Sequence, residues 1–437
     1  MSSGGALTKK AESLKTADKM TEEATTSDQQ RITGTGATSQ ESDQNPIQSR
    51  KRPRLSSTEQ KNLVVDPATP PSPGRYGVGG LYKATEGEVL DKRYKIKELL
   101  GSGAFASVHK AEDQTTKNTV AVKIIRSKKR SNDTSNKEVG LMKRVKEEAS
   151  ASKLDSGSGR GTSPDSPIGS NNVIRLLHNF QIEGTNGIHE VLVIEMLGPN
   201  LFNVLNKSNH KILNLQRIQR FSKDILSGLD FLHSKCEIMH LDLKPENLLV
   251  MVDPKNMDLA DRKCSASLKI GDFGLSEDSK RNVKRTVQTC NYRAPEAHLK
   301  AKITPSADIW SFGCVLYEMV TRELLFPCNG RDNCDKKWHL ERISELLGPI
   351  ESKYFERDEE DKKKFVNIFG DIDVYNGYLN EENVIAPNGL SKKNENVCSQ
   401  AQALSEFLEK ILKIDPKKRP SAGDALNHPF LNEESSP

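Results

Sequence analysis

The chain has 437 residues, with 65 Lys and Arg against 60 Asp and Glu for a net charge of +5. That length suits two or three folded units at roughly 150 residues each, and so small a net charge excludes a protein that coats nucleic acid by bulk electrostatics. Seven scattered cysteines without a C-x-x-C pair read as reduced thiols, not as a disulfide framework or a zinc site. An N-terminus without an apolar core, and no apolar run of about 18 residues, predict a soluble intracellular protein.

Residues 1–80 are rich in Ser, Thr, Gln, Gly and Lys, too poor in apolar groups to offset chain entropy, and are expected to be a disordered tail with order beginning near Tyr82. Within it, SRKRPRL (Ser49–Leu55) reads either as a nuclear import signal or as a solvated charge run. DPATPPSPGR offers Thr69 and Ser72, each before proline, as sites where added charge would act on that cluster, or it is only a linker. RYKIKELL (Arg93–Leu100) and TVAVKIIRS (Thr119–Ser127) predict strands flanking GSGAFA. NKEVGLMKRVKEE then places Val139, Met142 and Val145 at helical spacing. Ser150–Asn172 has no apolar period and predicts a mobile insertion. After the strand-like EVLVIEML (Glu190–Leu197) the pattern turns helical, with an apolar stripe at Ile218, Phe221, Ile225, Leu229 and Leu232. Strands first and helices later imply an α+β fold of two lobes with a ligand cleft between them.

Alone, GSGAFA (Gly101–Ala106) fits a hairpin turn as well as a phosphate loop whose backbone N–H groups approach without Cβ interference. Lys123 follows 22 residues after Gly101, and Glu138 lies on the next helix; such a pair can hold the α- and β-phosphates of a nucleotide. His240, Asp242 and Asn247 then match H-x-D-x-x-x-x-N, with DFG at Asp272–Gly274. Phosphoryl transfer needs a carboxylate to take the hydroxyl proton, here Asp242. It also needs an amide oxygen and a second carboxylate for Mg²⁺, here Asn247 and Asp272, with Lys244 facing the transferred group. APE (Ala294–Glu296) closes a 25-residue segment that begins at Asp272.

On these motifs the chain resembles the eukaryotic protein kinases from about Tyr94 to Leu431, and KPEN after Asp242 is similar to their serine/threonine branch. The resemblance implies a kinase domain over 94–431, its N-lobe about 94–197 and its C-lobe about 198–431. It implies ATP held by Leu100, Gly101, Ser102, Gly103, Ala104, Phe105, Ala106, Ser107, Val108, Lys123, Glu195 and Leu197, and a structural Arg419–Glu296 pair.

NYRAPE and an insertion around 350–400 resemble the group of cyclin-dependent, MAP, LAMMER and SR-protein kinases. EGTNGIHEVLVIEMLG and RPSAGDALNHPFL are similar to the SR-protein kinases, which modify serines in Arg-Ser repeats of splicing factors. That likeness implies Mg·ATP-dependent transfer to Arg/Ser-rich proteins by a monomer in nucleus and cytoplasm, without direct nucleic-acid or membrane contact. A LAMMER-type dual-specificity kinase, suggested by HLERISELLGPI, and a pseudokinase scaffold are the alternatives.

The chain departs from the SR-protein kinases in its spacer, in the LAMMER-like lean of HLERISELLGPI and in its docking groove, and shares with them the loss of one arginine. Only about twenty residues (Met251–Ile270) stand where the family carries a long spacer. Trp338 replaces an acid expected beside Glu323 and Glu345 in the docking groove, where it would stack on arginine or pack in the core. Leu241 stands where many kinases have the arginine that pairs with an activation-segment phosphate; SR-protein kinases also lack it. Activity without phosphate at Ser276, Ser279, Thr286 or Thr289 is therefore expected, with Thr289 acting through its hydroxyl near Asp242.

Overall fold

The computed structural model describes residues 72–127, 129–151, 169–207, 213–251, 265–328, 336–355 and 395–432. The basic cluster at Arg50–Arg54, Thr69 and most of the 350–400 insertion lie outside them.

The first lobe is a six-stranded antiparallel sheet in the order β1 (Val89–Leu90), β2 (Tyr94–Ser102), β3 (Ala106–Asp113), β4 (Thr119–Ile125), β6 (Gly187–Glu195), β5 (Leu176–Gly184). Alternation in β2 and β4 buries Tyr94, Ile96, Val120, Val122 and Ile124, which pack with Val191 and Val193 in one apolar layer. Helix α1 (Lys129–Ala151) lies against the sheet through Val139, Met142 and Val145, all buried, as their spacing predicts.

Order begins earlier than the composition suggests. Residues 73–76 form a single turn, and the following chain is tied down by Asn186, whose Nδ2 donates to Leu81 O at 2.8 Å and to Tyr76 O and Gly77 O at 3.3 Å. Backbone hydrogen bonds and one buried leucine, Leu81, hold this segment, so an apolar count undervalues it. The expected insertion is likewise shorter at its end: Ser170–Asn172 form a turn, Ser170 is buried, and Asn172 Nδ2 donates to Leu268 O at 3.1 Å.

The second lobe is mainly helical. Helix α2 (Leu201–Lys207) precedes α3 (Leu215–Asp230), whose N-cap Asn214 accepts from Arg217 N and whose stripe Ile218, Phe221, Ile225 and Leu229 is fully buried. Short strands β7 (Ile238–Met239), β8 (Leu248–Met251), β9 (Ser267–Ile270) and β10 (Glu277–Asp278) form two pairs, β7 with β10 and β8 with β9. Helices α4 (Pro295–His298), α5 (Ser306–Thr321), α6 (Lys336–Leu347), α7 (Glu395–Ile411) and α8 (Ala422–Ala425) complete it, with Trp310 and Phe312 of α5 fully buried at the centre. Among the described residues no helix is long and apolar enough to cross a membrane.

Candidate active site

The β2–β3 hairpin turns at Gly103–Phe105, closed by Gly103 N donating to Ala106 O at 2.8 Å. Arginines occupy the carbonyls of its tip: Arg75 donates to Gly103 O, and Arg126 donates through Nη1 to Ala104 O at 3.0 Å and through its backbone N to Phe105 O at 2.9 Å. With its carbonyls engaged, the tip keeps Phe105 exposed. Register places Val108 of β3 directly opposite Lys123 of β4, so the lysine sits beneath this hairpin.

Lys123 Nζ bonds Glu138 Oε1 of α1 at 2.7 Å and Asp272 Oδ1 at 3.0 Å. Burial works against the Lys123 ammonium, but the Asp272 and Glu138 carboxylates outweigh it and raise its pKa. Lys123 in turn holds Asp272 well below the usual carboxylate range, whereas burial pushes Glu138 upward despite the same lysine. Asp272 sits at φ +61°, a strained angle for a non-glycine residue, stabilised by Gly274 N donating to its Oδ1 at 3.2 Å.

Asp242 is the centre of the second cluster. Its Oδ1 accepts from Thr289 Oγ1 at 2.8 Å and its Oδ2 from Lys244 Nζ at 2.9 Å and Asn247 Nδ2 at 3.1 Å; Lys244 also donates to Thr289 Oγ1 at 3.0 Å. Burial would depress the Lys244 ammonium, but the charge of Asp242 raises it instead. Asn247 Nδ2 also donates to Asp242 O at 2.8 Å, so its N–H groups are turned toward Asp242 and its amide oxygen is the donor left for a hard cation. Together with the ionised Asp272 this oxygen-only pair fits Mg²⁺.

The loop carrying Asp242 is fixed by a residue the motifs do not name. Asp308 of α5 accepts from His240 N and Leu241 N, both at 2.8 Å, and from His233 Nε2 at 2.9 Å. Burial raises the Asp308 carboxyl, but His233 and these N–H donors outweigh it and hold its pKa low. Leu241 is fully buried at φ +59°, its N–H on Asp308 and its O accepting from Gln288 N at 2.9 Å. His240 Nε2 lies 2.9 Å from Gly271 O.

The segment from Asp272 to Glu296 is zipped to this loop. Ser276 Oγ donates to His240 O at 3.1 Å, and Glu277 and Asp278 pair with Met239 and Ile238. Glu277 draws in Lys137 of α1 and Arg285 Nε (3.1 Å), Asp278 pairs with Arg144 of α1 at 2.9 Å, and Lys280 with Glu237 at 2.6 Å. Ser276 is buried, whereas Thr286 is exposed. At the end of β6, the Glu195 carboxylate is taken by Lys269 (2.8 Å) and Arg175 (3.1 Å), which leaves the main chain near Glu195 and Leu197 as the part able to face a nucleotide. Arg419 grips Glu296 through two bonds of 2.7 and 2.8 Å with both side chains fully buried.

Trp338 is half-buried on α6, neither a core residue nor an open face: its Nε1 donates to Pro327 O at 3.2 Å, and Arg342 lies 4.7 Å over its ring while bonding Glu345 at 2.6 Å.

Comparison with known proteins accords with this geometry. The family described as "Protein kinase domain" matches residues 165–431. The chain is 30% identical over 407 residues to "Serine/threonine-protein kinase SRPK" of Physarum polycephalum, covering 82% of this chain and 90% of that protein. It is 29% identical over 363 residues to "Serine/threonine-protein kinase AFC3" of Arabidopsis thaliana (79% and 84%). It is 28% identical over 379 residues to "Dual specificity tyrosine-phosphorylation-regulated kinase 3" of Homo sapiens (83% and 58%). Two lobes, an ion-paired lysine under a glycine hairpin and a braced aspartate loop thus come with matching relatives, and the chain belongs to the protein kinase family, as a serine/threonine kinase of the CMGC group.

Proposed function

We propose that the protein transfers the γ-phosphoryl group of ATP to serines flanked by arginine, in Arg/Ser-rich splicing-factor-like proteins, and that it does so without prior phosphorylation of its own activation segment. The observation that carries the catalytic part is the Asp242–Lys244–Thr289 cluster, a carboxylate, an ammonium and a hydroxyl each within 3.0 Å of the other two. Asp242 accepts the serine proton as the oxygen attacks the γ-phosphorus; the new O–P bond forms while the bond to the β-phosphate oxygen breaks, and ADP leaves. Lys244 stabilises charge on the moving group, and Thr289 keeps Asp242 oriented. Lys123, fixed by Glu138, positions the α- and β-phosphates under the hairpin of Leu100–Val108. Asn247 and Asp272 would hold Mg²⁺, which when bound neutralises phosphate charge.

Two observations support an arginine-flanked substrate. Glu246, two residues beyond Lys244, has a buried Oε2 without a hydrogen-bond partner among the described residues, a site that a substrate cation would satisfy. The similarity to the SRPK of Physarum polycephalum points the same way. Arg342 already covers Trp338 and neutralises Glu345, which favours short Arg-Ser sites over long repeats threaded along α6. Offering the purified kinase an Arg-Ser peptide, a proline-directed peptide and a tyrosine peptide side by side tests the reading. The Arg-Ser peptide should show the highest kcat/KM, and preference for the proline-directed one overturns it. A distribution over nucleus and cytoplasm, set by the cluster at Arg50–Arg54, belongs to the same proposal.

A further inference from the structure

Beyond the phosphoryl-transfer centre, three soft donors converge. Cys290 Sγ, Cys328 Sγ and His339 Nε2 all lie within 4.8 Å of one another. Cys290 directly follows Thr289, the residue that touches Asp242; Cys328 stands just after Pro327, which accepts from Trp338; His339 is on α6. The two sulfurs are 2.9 Å apart and Cys328 Sγ is 3.6 Å from His339 Nε2.

We propose that Cys290, Cys328 and His339 bind one Zn²⁺ ion that ties the substrate-side end of the activation segment to the start of α6. Zinc bonds of about 2.3 Å to sulfur and about 2.0 Å to nitrogen in a tetrahedron separate the donors by roughly 3.5–3.8 Å. The Cys328–His339 distance already meets that, the sulfurs would part by under about 1 Å, and Cys290 and His339, within 4.8 Å of each other, would draw in by at most about as much. Two thiolates and an imidazole are the donor set zinc takes, and a histidine 1% exposed against the sulfur pair has no part to play in a disulfide.

The surroundings suit a metal. His298 of α4 stacks on His339 with ring centroids 5.1 Å apart, is itself buried, and has no hydrogen-bond partner at either ring nitrogen among the described residues, so it fixes the plane of the ligand ring by packing. Asn291 Oδ1 is 2.9 Å from Cys328 Sγ and 3.7 Å from Cys290 Sγ. A half-turn of that amide presents N–H donors to both sulfurs, the outer contact that stabilises metal-bound thiolates.

The test is metal content of the full chain purified under reducing conditions without chelator. Close to one zinc per chain is expected, at least tenfold less in Cys290→Ser and Cys328→Ser, and no change in Cys398→Ser. Because a site variant can fail to fold, the unmutated chain is also stripped of metal and titrated with Co²⁺, which should produce thiolate-to-cobalt charge-transfer absorption. Removing the metal should raise KM for a peptide several-fold and leave KM for ATP unchanged. Absence of both zinc and the cobalt band, a Cys290–Cys328 disulfide in the non-reduced protein, or zinc retained by the double serine variant would overturn the site. An unchanged peptide KM would overturn its role as a tie.

Discussion

Replacing Glu296 with alanine strands Arg419 inside the second lobe. The guanidinium makes two bonds to Glu296 and three to carbonyls, Lys413 O at 2.7 Å, Ser306 O at 3.0 Å and Ile414 O at 3.1 Å. The carbonyls survive the change, but the counter-charge does not, and both side chains are 0% exposed. Breaking a buried pair on one side costs about 3–5 kcal/mol. At roughly 2–4 °C per kcal/mol for a large domain, that is a fall in Tm on the order of 10 °C. Glu296→Leu with Arg419→Met removes both charges and should recover most of the loss, a coupling of at least about 2 kcal/mol in a double-mutant cycle. Thermal and urea unfolding followed by circular dichroism measure all four corners. A single-variant loss below about 1 kcal/mol, or strictly additive losses, would refute the claim that this pair acts as a buried brace.

Asp242→Asn should lower kcat by about 10²–10⁴ while nucleotide affinity, measured by titration, stays within about threefold; activity surviving the change removes the aspartate from its role. Exhaustive phosphatase treatment, or alanine at Ser279 and Thr286, should leave activity within about twofold, whereas Glu277→Gln should reduce it several-fold because Lys137 and Arg285 lose their shared partner. Burial raises the Asp224 carboxyl from 3.8 to about 6, so its folded form binds a proton that the unfolded form has lost. Stability therefore falls as pH rises from about 4 to 6, by up to ~3 kcal/mol. Asp224→Asn should accordingly stabilise the protein at pH 7 in urea unfolding and make no difference below pH 4; an equal effect at both would discard the burial argument. Deleting residues 1–71, which spares the segment anchored by Asn186, should shift the protein toward the cytoplasm. An unchanged distribution would discard the import signal.

Much of the centre was readable because phosphoryl transfer demands particular residue types in a particular chain order. Lys123 meets Glu138 and Asp272 within 3.0 Å although the three come from a strand, a helix and a loop, and Asp242 meets Lys244 and Asn247 within 3.1 Å. The braces were not readable. Asp308 lies 68 residues beyond His240 in an apolar helix, with nothing local to mark its hold on two backbone N–H groups. Lys137, Arg144 and Glu277 look like ordinary surface charges until α1 and β10 are placed side by side. Nor was the approach of Cys290 and Cys328 readable, since they are 38 positions apart and no spacing rule joins them. The segment around Leu81 was misjudged because its order comes from the Asn186 amide and the arginines at the hairpin tip, not from apolar content.

Leu241 has a consequence for how such an enzyme can be controlled in time. An arginine there would answer to a phosphate and could be turned on or off in seconds. A fully buried leucine, pinned through its backbone to Asp308 and Gln288, offers no handle to a signalling enzyme. The zip on either side of it includes uncharged hydrogen bonds, which salt does not screen as it would a phosphate–arginine pair. If activity is independent of activation-segment phosphate, as proposed, output follows dose: how much protein is made, where it is kept and which substrates reach it. On the proposed reading, a cell wanting less of this activity would move or destroy the molecule, because a buried leucine held by backbone bonds gives an added phosphate nothing to pair with.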